Sequence, residues 1–197
     1  MMNAYPRWSI VAAPLLAALG CSDPVPPPAQ AAVTLSVTQP VVHVDQMTCP
    51  VVHEYQVGAN DPKTNKPAPP SSVDPGQSVI SGQSGAKISC SVKGGGGTFT
   101  FSGTVSAVTT EGQAISVQFT NGTVTNGAGT ADVSVYTPDL SANFDSTASC
   151  TIQVLQNQVK GGSIWATFSC PSIASPPSGL CGIGSNSTIV FENCDGS

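Results

Sequence analysis

Apolar and polar residues alternate along most of this chain. Val33, Leu35 and Val37 take every second position of AVTLSV. The same period recurs in VVHEYQV, AKISCSV, TFTFSGTVS, AISVQFT, TADVSVYT, ASCTIQVL, SIWATFSC and STIVFENC. A period of two sends successive side chains to opposite faces, so each segment predicts a strand with one buried face. After Cys21 no window pairs helical apolar spacing with helix-forming residues. GGGG, TNG and NGAG read as turns between strands, and NDPKTNKPAPPSSVDPG as a long loop. Many short strands separated this way predict an all-β fold, an antiparallel β-sandwich or jelly-roll-like domain.

One hairpin can be worked out residue by residue. SCTIQVLQNQ and GSIWATFSC flank Val159, Lys160 and Gly161. A three-residue hairpin loop places its last residue in the left-handed region, which suits Gly161. That register sets Ile152 opposite Phe168, Val154 opposite Ala166 and Cys150 opposite Cys170. A turn at Gly161–Gly162 would break it, because a slip in register moves every side chain to the other face. Trp165 has the opposite parity to Ala166 and Phe168. The register therefore turns it outward, where an indole can stack on a sugar or a partner, unless a neighbouring loop packs over it.

The first thirty residues break the alternation. IVAAPLLAAL, Ile10 to Leu19, is a short apolar run behind Arg7. It is too short to span a bilayer, which needs about 20 apolar residues, and it fits an export signal. AALGC ends the run at Cys21, and SDPVPPPAQAA follows. A Pro-rich stretch of that kind is extended and acts as a semi-rigid spacer. The organisation read from the chain is a signal over 1–20, a Pro-rich tether over 21–32 and a single β-sandwich domain over 33–197. A competing cleavage point lies after Ala31, in AQA.

The AALGC boundary resembles the lipobox of bacterial lipoproteins, departing from it at Ala18, where that family more often has Leu. The resemblance covers only the first twenty-odd residues. It implies that the Cys21 thiol carries a diacylglycerol and that Cys21 becomes the acylated first residue of the mature chain. Stable anchoring takes more than one acyl chain, each buried CH₂ contributing about 0.8 kcal/mol, and a triacylated Cys21 meets that condition. Ser22, with no Asp directly after the Cys, resembles the pattern sent to the outer membrane. GTFTFSGTVS, SIWATFSCP and FENC give the rest of the chain a loose resemblance to uncharacterised Cys-rich β-domain envelope lipoproteins, which assigns no functional residue.

Removing residues 1–20 leaves 177 of the 197, enough for one domain with a real core. Five lysines face eleven acidic residues after Cys21, a side-chain charge of −6 with no basic cluster. Nucleic acid needs a basic footprint and is excluded as a partner. The partners expected are a membrane, through the lipid anchor, and an envelope protein or glycan. Six cysteines remain: Cys49, Cys90, Cys150, Cys170, Cys181 and Cys194. An even number in an exported chain predicts three disulfides, among fifteen arrangements. The preferred set is Cys49–Cys90, Cys150–Cys170 and Cys181–Cys194. Cys170–Cys181 with Cys150–Cys194 is its rival.

The chemistry-bearing fragments are sparse. HVD at 43–45 and HE at 53–54 lie on strand-like stretches, where alternation turns His43 and His53 outward, and no spacing gathers metal ligands. GQSGA at 82–86 echoes the nucleophile elbow around Ser84, but no His follows it in the chain. The sequons NGT at 121–123 and NST at 186–188 read as turn residues. No cofactor, metal or catalytic residue is expected. The reading is a non-catalytic β domain with a binding or structural role, with Trp165 as the candidate contact. The alternative is an envelope hydrolase built on the scattered carboxylates Asp132, Asp139 and Asp145.

Overall fold

The computed structural model describes residues 25–41, 48–58, 79–82, 85–109 and 111–195. These form eleven strands: β1 (Gln30–Thr38), β2 (His53–Val57), β3 (Val79–Ile80), β4 (Lys87–Gly95), β5 (Thr98–Val108), β6 (Ala114–Thr125), β7 (Ala128–Tyr136), β8 (Asn143–Ser146), β9 (Cys150–Lys160), β10 (Ser163–Ser175) and β11 (Gly179–Glu192). All ladders are antiparallel, and no helix occurs among the described residues. The all-β architecture with three disulfides is the expected one. Its layers, however, belong to one continuous sheet, ordered β2-β1-β11-β10-β8-β7-β6-β5-β4. β9 occupies the same lane as β8, between β7 and β10, and β3 pairs β1 beside β2.

The alternation explains the rolling. The long strands β4 to β7 each carry one apolar row, and the rows of the two halves of the sheet share one core. Phe119 on β6 stands 5.0 Å from Phe168 on β10 and 6.1 Å from Phe191 on β11, ring centre to ring centre, both edge-on. Such pairs contribute ~0.5–1.5 kcal/mol each beyond the area they bury. The halves approach closely because β5 places Gly103 beneath Phe191. A Cβ there would meet the ring at 2.5 Å.

The free edge of β4 is covered by the end of the chain. Asp195 bridges Ser91 in parallel, its N–H donating to the Cys90 carbonyl at 3.0 Å and its carbonyl accepting from Val92 at 3.1 Å. The β9–β10 turn joins in through the Gly162 N–H, 3.0 Å from the Val92 carbonyl. Covering an edge in this way removes a template for unwanted strand pairing.

The worked hairpin holds in its body and fails at its tip. Ile152 pairs Phe168 and Val154 pairs Ala166, as expected. The turn is instead the two-residue Gly161–Gly162, with Lys160 opposite Ser163 and Gly162 at φ 83°. The misplaced turn does not flip the faces, because β9 takes five steps from Val154 to Val159 while β10 takes two from Ile164 to Ala166. This bulge, with Asn157 at φ 59°, absorbs the offset. TNG occurs twice, and its first copy, at 120–122, is not a turn between strands. Asn121 and Gly122 form a bulge inside β6, Asn121 at φ 52°, and Gly122 lies where a Cβ would strike the Phe101 ring at 2.6 Å. The second copy, overlapping NGAG, is the β6–β7 turn as expected, with Asn126 and Gly127 both at positive φ, the Asn-Gly form that matches strand twist.

The strand signals missed β3 and β8, which are too short to show a period. β1 begins at Gln30, so the last residues read as tether belong to a strand, with Ala31 fully buried. The signal segment, Cys21 and most of the loop after β2 lie outside the described residues.

Two of the preferred disulfides are corrected. Cys150–Cys170 forms as the hairpin register required. Cys49 pairs Cys181, and Cys90 pairs Cys194, with Cα atoms 4.5 and 4.9 Å apart. Sequence proximity misled: Cys90 and Cys194 meet because the sheet closes, and Cys49 meets Cys181 because β1 runs beside β11. The pairings predict unequal losses on removal. The Cys49–Cys181 bond spans 132 residues and Cys150–Cys170 spans 20. Denatured-chain entropy then assigns roughly 5 kcal/mol to the first and roughly 3 kcal/mol to the second. Urea unfolding of the two paired Cys→Ala variants checks the order. Equal losses would show that denatured-state entropy does not govern the difference.

Candidate functional site

The described residues gather titratable and polar side chains most closely at the rim where β2 meets the β5–β6 and β7–β8 turns. Tyr55 is the centre. Its parity with Val57 turns it inward, and only 1% of it is exposed. Its hydroxyl donates to Asp139 Oδ2 at 2.9 Å and accepts from the buried Thr137 hydroxyl at 3.2 Å. Thr137 Oγ1 also accepts from the Leu140 N–H at 3.3 Å, holding the β7–β8 turn in place. Gln113, from the β5–β6 turn, donates to the same Asp139 oxygen at 3.3 Å. Gln113 Oε1 is buried with no hydrogen-bond partner among the described residues.

His53 packs edge-on against Tyr55, ring centres 4.7 Å apart, and its Nε2 lies 3.3 Å from Glu111 Oε2. Alternation put His53 outward. It is in fact on the Tyr55 side of β2, opposite Val37, and is reached by water only because the strand ends there. With side-chain exposures of 38% and 61%, the His53–Glu111 contact is a surface pair that contributes little to stability. Glu54, on the other face, accepts from Asn186 at 3.2 Å.

Burial above all raises the Tyr55 pKa from 10.0 to about 12, with the Asp139 hydrogen bond and the nearby carboxylates adding to it and Thr137 opposing. The group is therefore a neutral donor at physiological pH and no phenolate nucleophile. The Tyr55 and Thr137 hydroxyls are buried inside the cluster, and Asp139, Glu111 and His53 are the members open to solvent. No three His, Cys, Asp or Glu side chains could hold a metal ion among the described residues.

The other expected sites fall elsewhere. His43, Ser84 and Cys21 lie outside the described residues. Trp165 faces the outer side opposite Val190, as parity requires, but it is half-buried, and its Nε1 is enclosed without a partner among the described residues. It is not a freely exposed platform, and it sits where β9 bulges. Of the three carboxylates, Asp139 belongs to the Tyr55 cluster. Asp132 accepts from Asn121 at 2.8 Å and Ser149 at 3.1 Å. Asp145 pairs Ser134, which makes it a diagonal neighbour of Asp132 on an open sheet face. The Tyr55 cluster was hidden in the sequence because Tyr55 lies 84 residues, and Gln113 26 residues, from Asp139. The one available signal was HEYQV, where a Tyr shares the inward parity of Val57.

No protein-family model matches this chain, and neither does any curated protein or solved structure.

The raised pKa gives a pH prediction. Between about 10 and about 12 the folded chain keeps the Tyr55 proton that the unfolded chain releases. Stability linked to Tyr55 is thus complete below about pH 10 and lost as pH rises through about 12. Thermal unfolding across that range should fall more steeply for the native chain than for Tyr55→Phe. Parallel curves would show that Tyr55 ionises normally.

Proposed function

We propose that the chain is a lipid-anchored envelope or surface lipoprotein whose β domain binds a partner and performs no chemistry of its own. The observation that carries this reading is the cysteine count. All six cysteines after Cys21 are consumed in three disulfides with one another. They leave no partner for Cys21, which stands at the AALGC boundary where the lipobox resemblance requires a free thiol. Disulfides on this scale also fit an oxidising, exported location. Ser22 supports the outer membrane as destination.

Binding is favoured over catalysis by the character of the rim. Its phenol is held neutral, its His53–Glu111 pair is open to water, and its side chains are fixed by mutual hydrogen bonds. These features suit recognition of an envelope protein or glycan.

Replacing Cys21 by Ser is expected to abolish labelling by a radioactive fatty acid and to move the protein from the membrane to the soluble fraction. A mature wild-type N-terminus at Ala32, read by mass spectrometry, would sink the anchor.

A further inference from the structure

The Pro-rich segment is not a free spacer along its whole length. Pro26, Pro27 and Pro28 line a groove of ≈ 560 Å³ whose other wall includes Ile88, Cys90 and Cys194. The Pro28 carbonyl accepts from Asn193 Nδ2 at 3.3 Å, and the Ala29 carbonyl accepts from the Ser81 N–H at 2.9 Å. The wall is rigid, since the Cys90–Cys194 disulfide crosses it and Asp195 is bridged to β4. From Cys21 to Pro26 there are only five steps, ~16 Å at about 3.1 Å per residue.

The rim lies at the opposite end of β1. Gln30 pairs Glu192 beside the groove, and Val37 pairs His53 at the rim. The seven steps between them cover ~23 Å. Lys160 is next to the turn whose Gly162 contacts Val92 and Cys194, so it marks the groove end. Glu111 marks the rim end through His53.

We infer that the groove end of the domain rests against a lipid surface and that the Tyr55 rim points away from it. This rests on the anchor reading above. A link of so few residues joined to a strapped segment confines the domain to one side, and the strap enters next to β1 along its long direction.

The test uses the full acylated protein in vesicles of phosphatidylethanolamine and phosphatidylglycerol carrying a headgroup spin label. Trp165 is the one tryptophan after Cys21, so Trp165→Phe gives a dark background. Into it are placed Lys160→Trp or Glu111→Trp, and quenching is compared. Several-fold stronger quenching at Lys160→Trp is expected, and a Gly-Ser insertion before Val25 should weaken it. Equal quenching, or stronger quenching at Glu111→Trp, overturns the orientation while leaving the anchor intact. Protein that does not float with the vesicles overturns the anchor and the orientation with it. Should the Trp165→Phe background not fold, amide exchange of the native chain decides. Vesicles must then slow exchange at 160–163 and 193–195 and leave 111–113 and 139–141 unchanged, and the converse pattern overturns the proposal.

Discussion

A sheet with one apolar face must find something to cover that face, and this chain covers it with itself. The contact on which the rest depends is Phe191 lying over Gly103. It brings β11 against β5 and lets Phe119 meet both Phe168 and Phe191. Any side chain at 103 would hold the two halves apart. With the halves together, the end of β11 is delivered to the edge of β4, and Cys194 comes within bonding distance of Cys90. Closure of the core thus precedes the disulfide in logic, and the disulfide keeps the edge covered.

The features most legible in the sequence were those with a short range. Alternation at Val33, Leu35 and Val37 placed β1, and the parity of Ile152 and Phe168 fixed the body of a hairpin and with it one disulfide. Long-range closure was not legible. Nothing in the spacing of Cys49 or Cys90 says which strand will lie beside it once the sheet rolls. Local chemistry also misled where two structures use the same residues. Asn-Gly serves a turn at 126–127 and a bulge at 121–122. The difference is whether the ladder resumes with the same partner, which depends on β5.

The rim was the least legible part. Tyr55 looks like an ordinary strand aromatic, and Asp139 like one of several loop carboxylates. Their meeting requires β2 and the β7–β8 turn to be neighbours across the roll, 84 residues apart. His53 illustrates the same limit: alternation gives the face, but the end of the strand gives the exposure. The bulge in β9 worked in the other direction, rescuing a register whose turn was wrongly placed.

The way β1 is held has a mechanical consequence. Tension applied through the N-terminal segment reaches the fold at Pro28–Ala29 and passes into β1 along its axis. That strand is laddered on one side to β11 and on the other to β2 and β3. A lengthwise pull shears both ladders at once, so the bonds share the load rather than opening one after another. β11 in turn hands the load through Cys194 to β4. The domain is built to be tugged from its N-terminal side without unzipping.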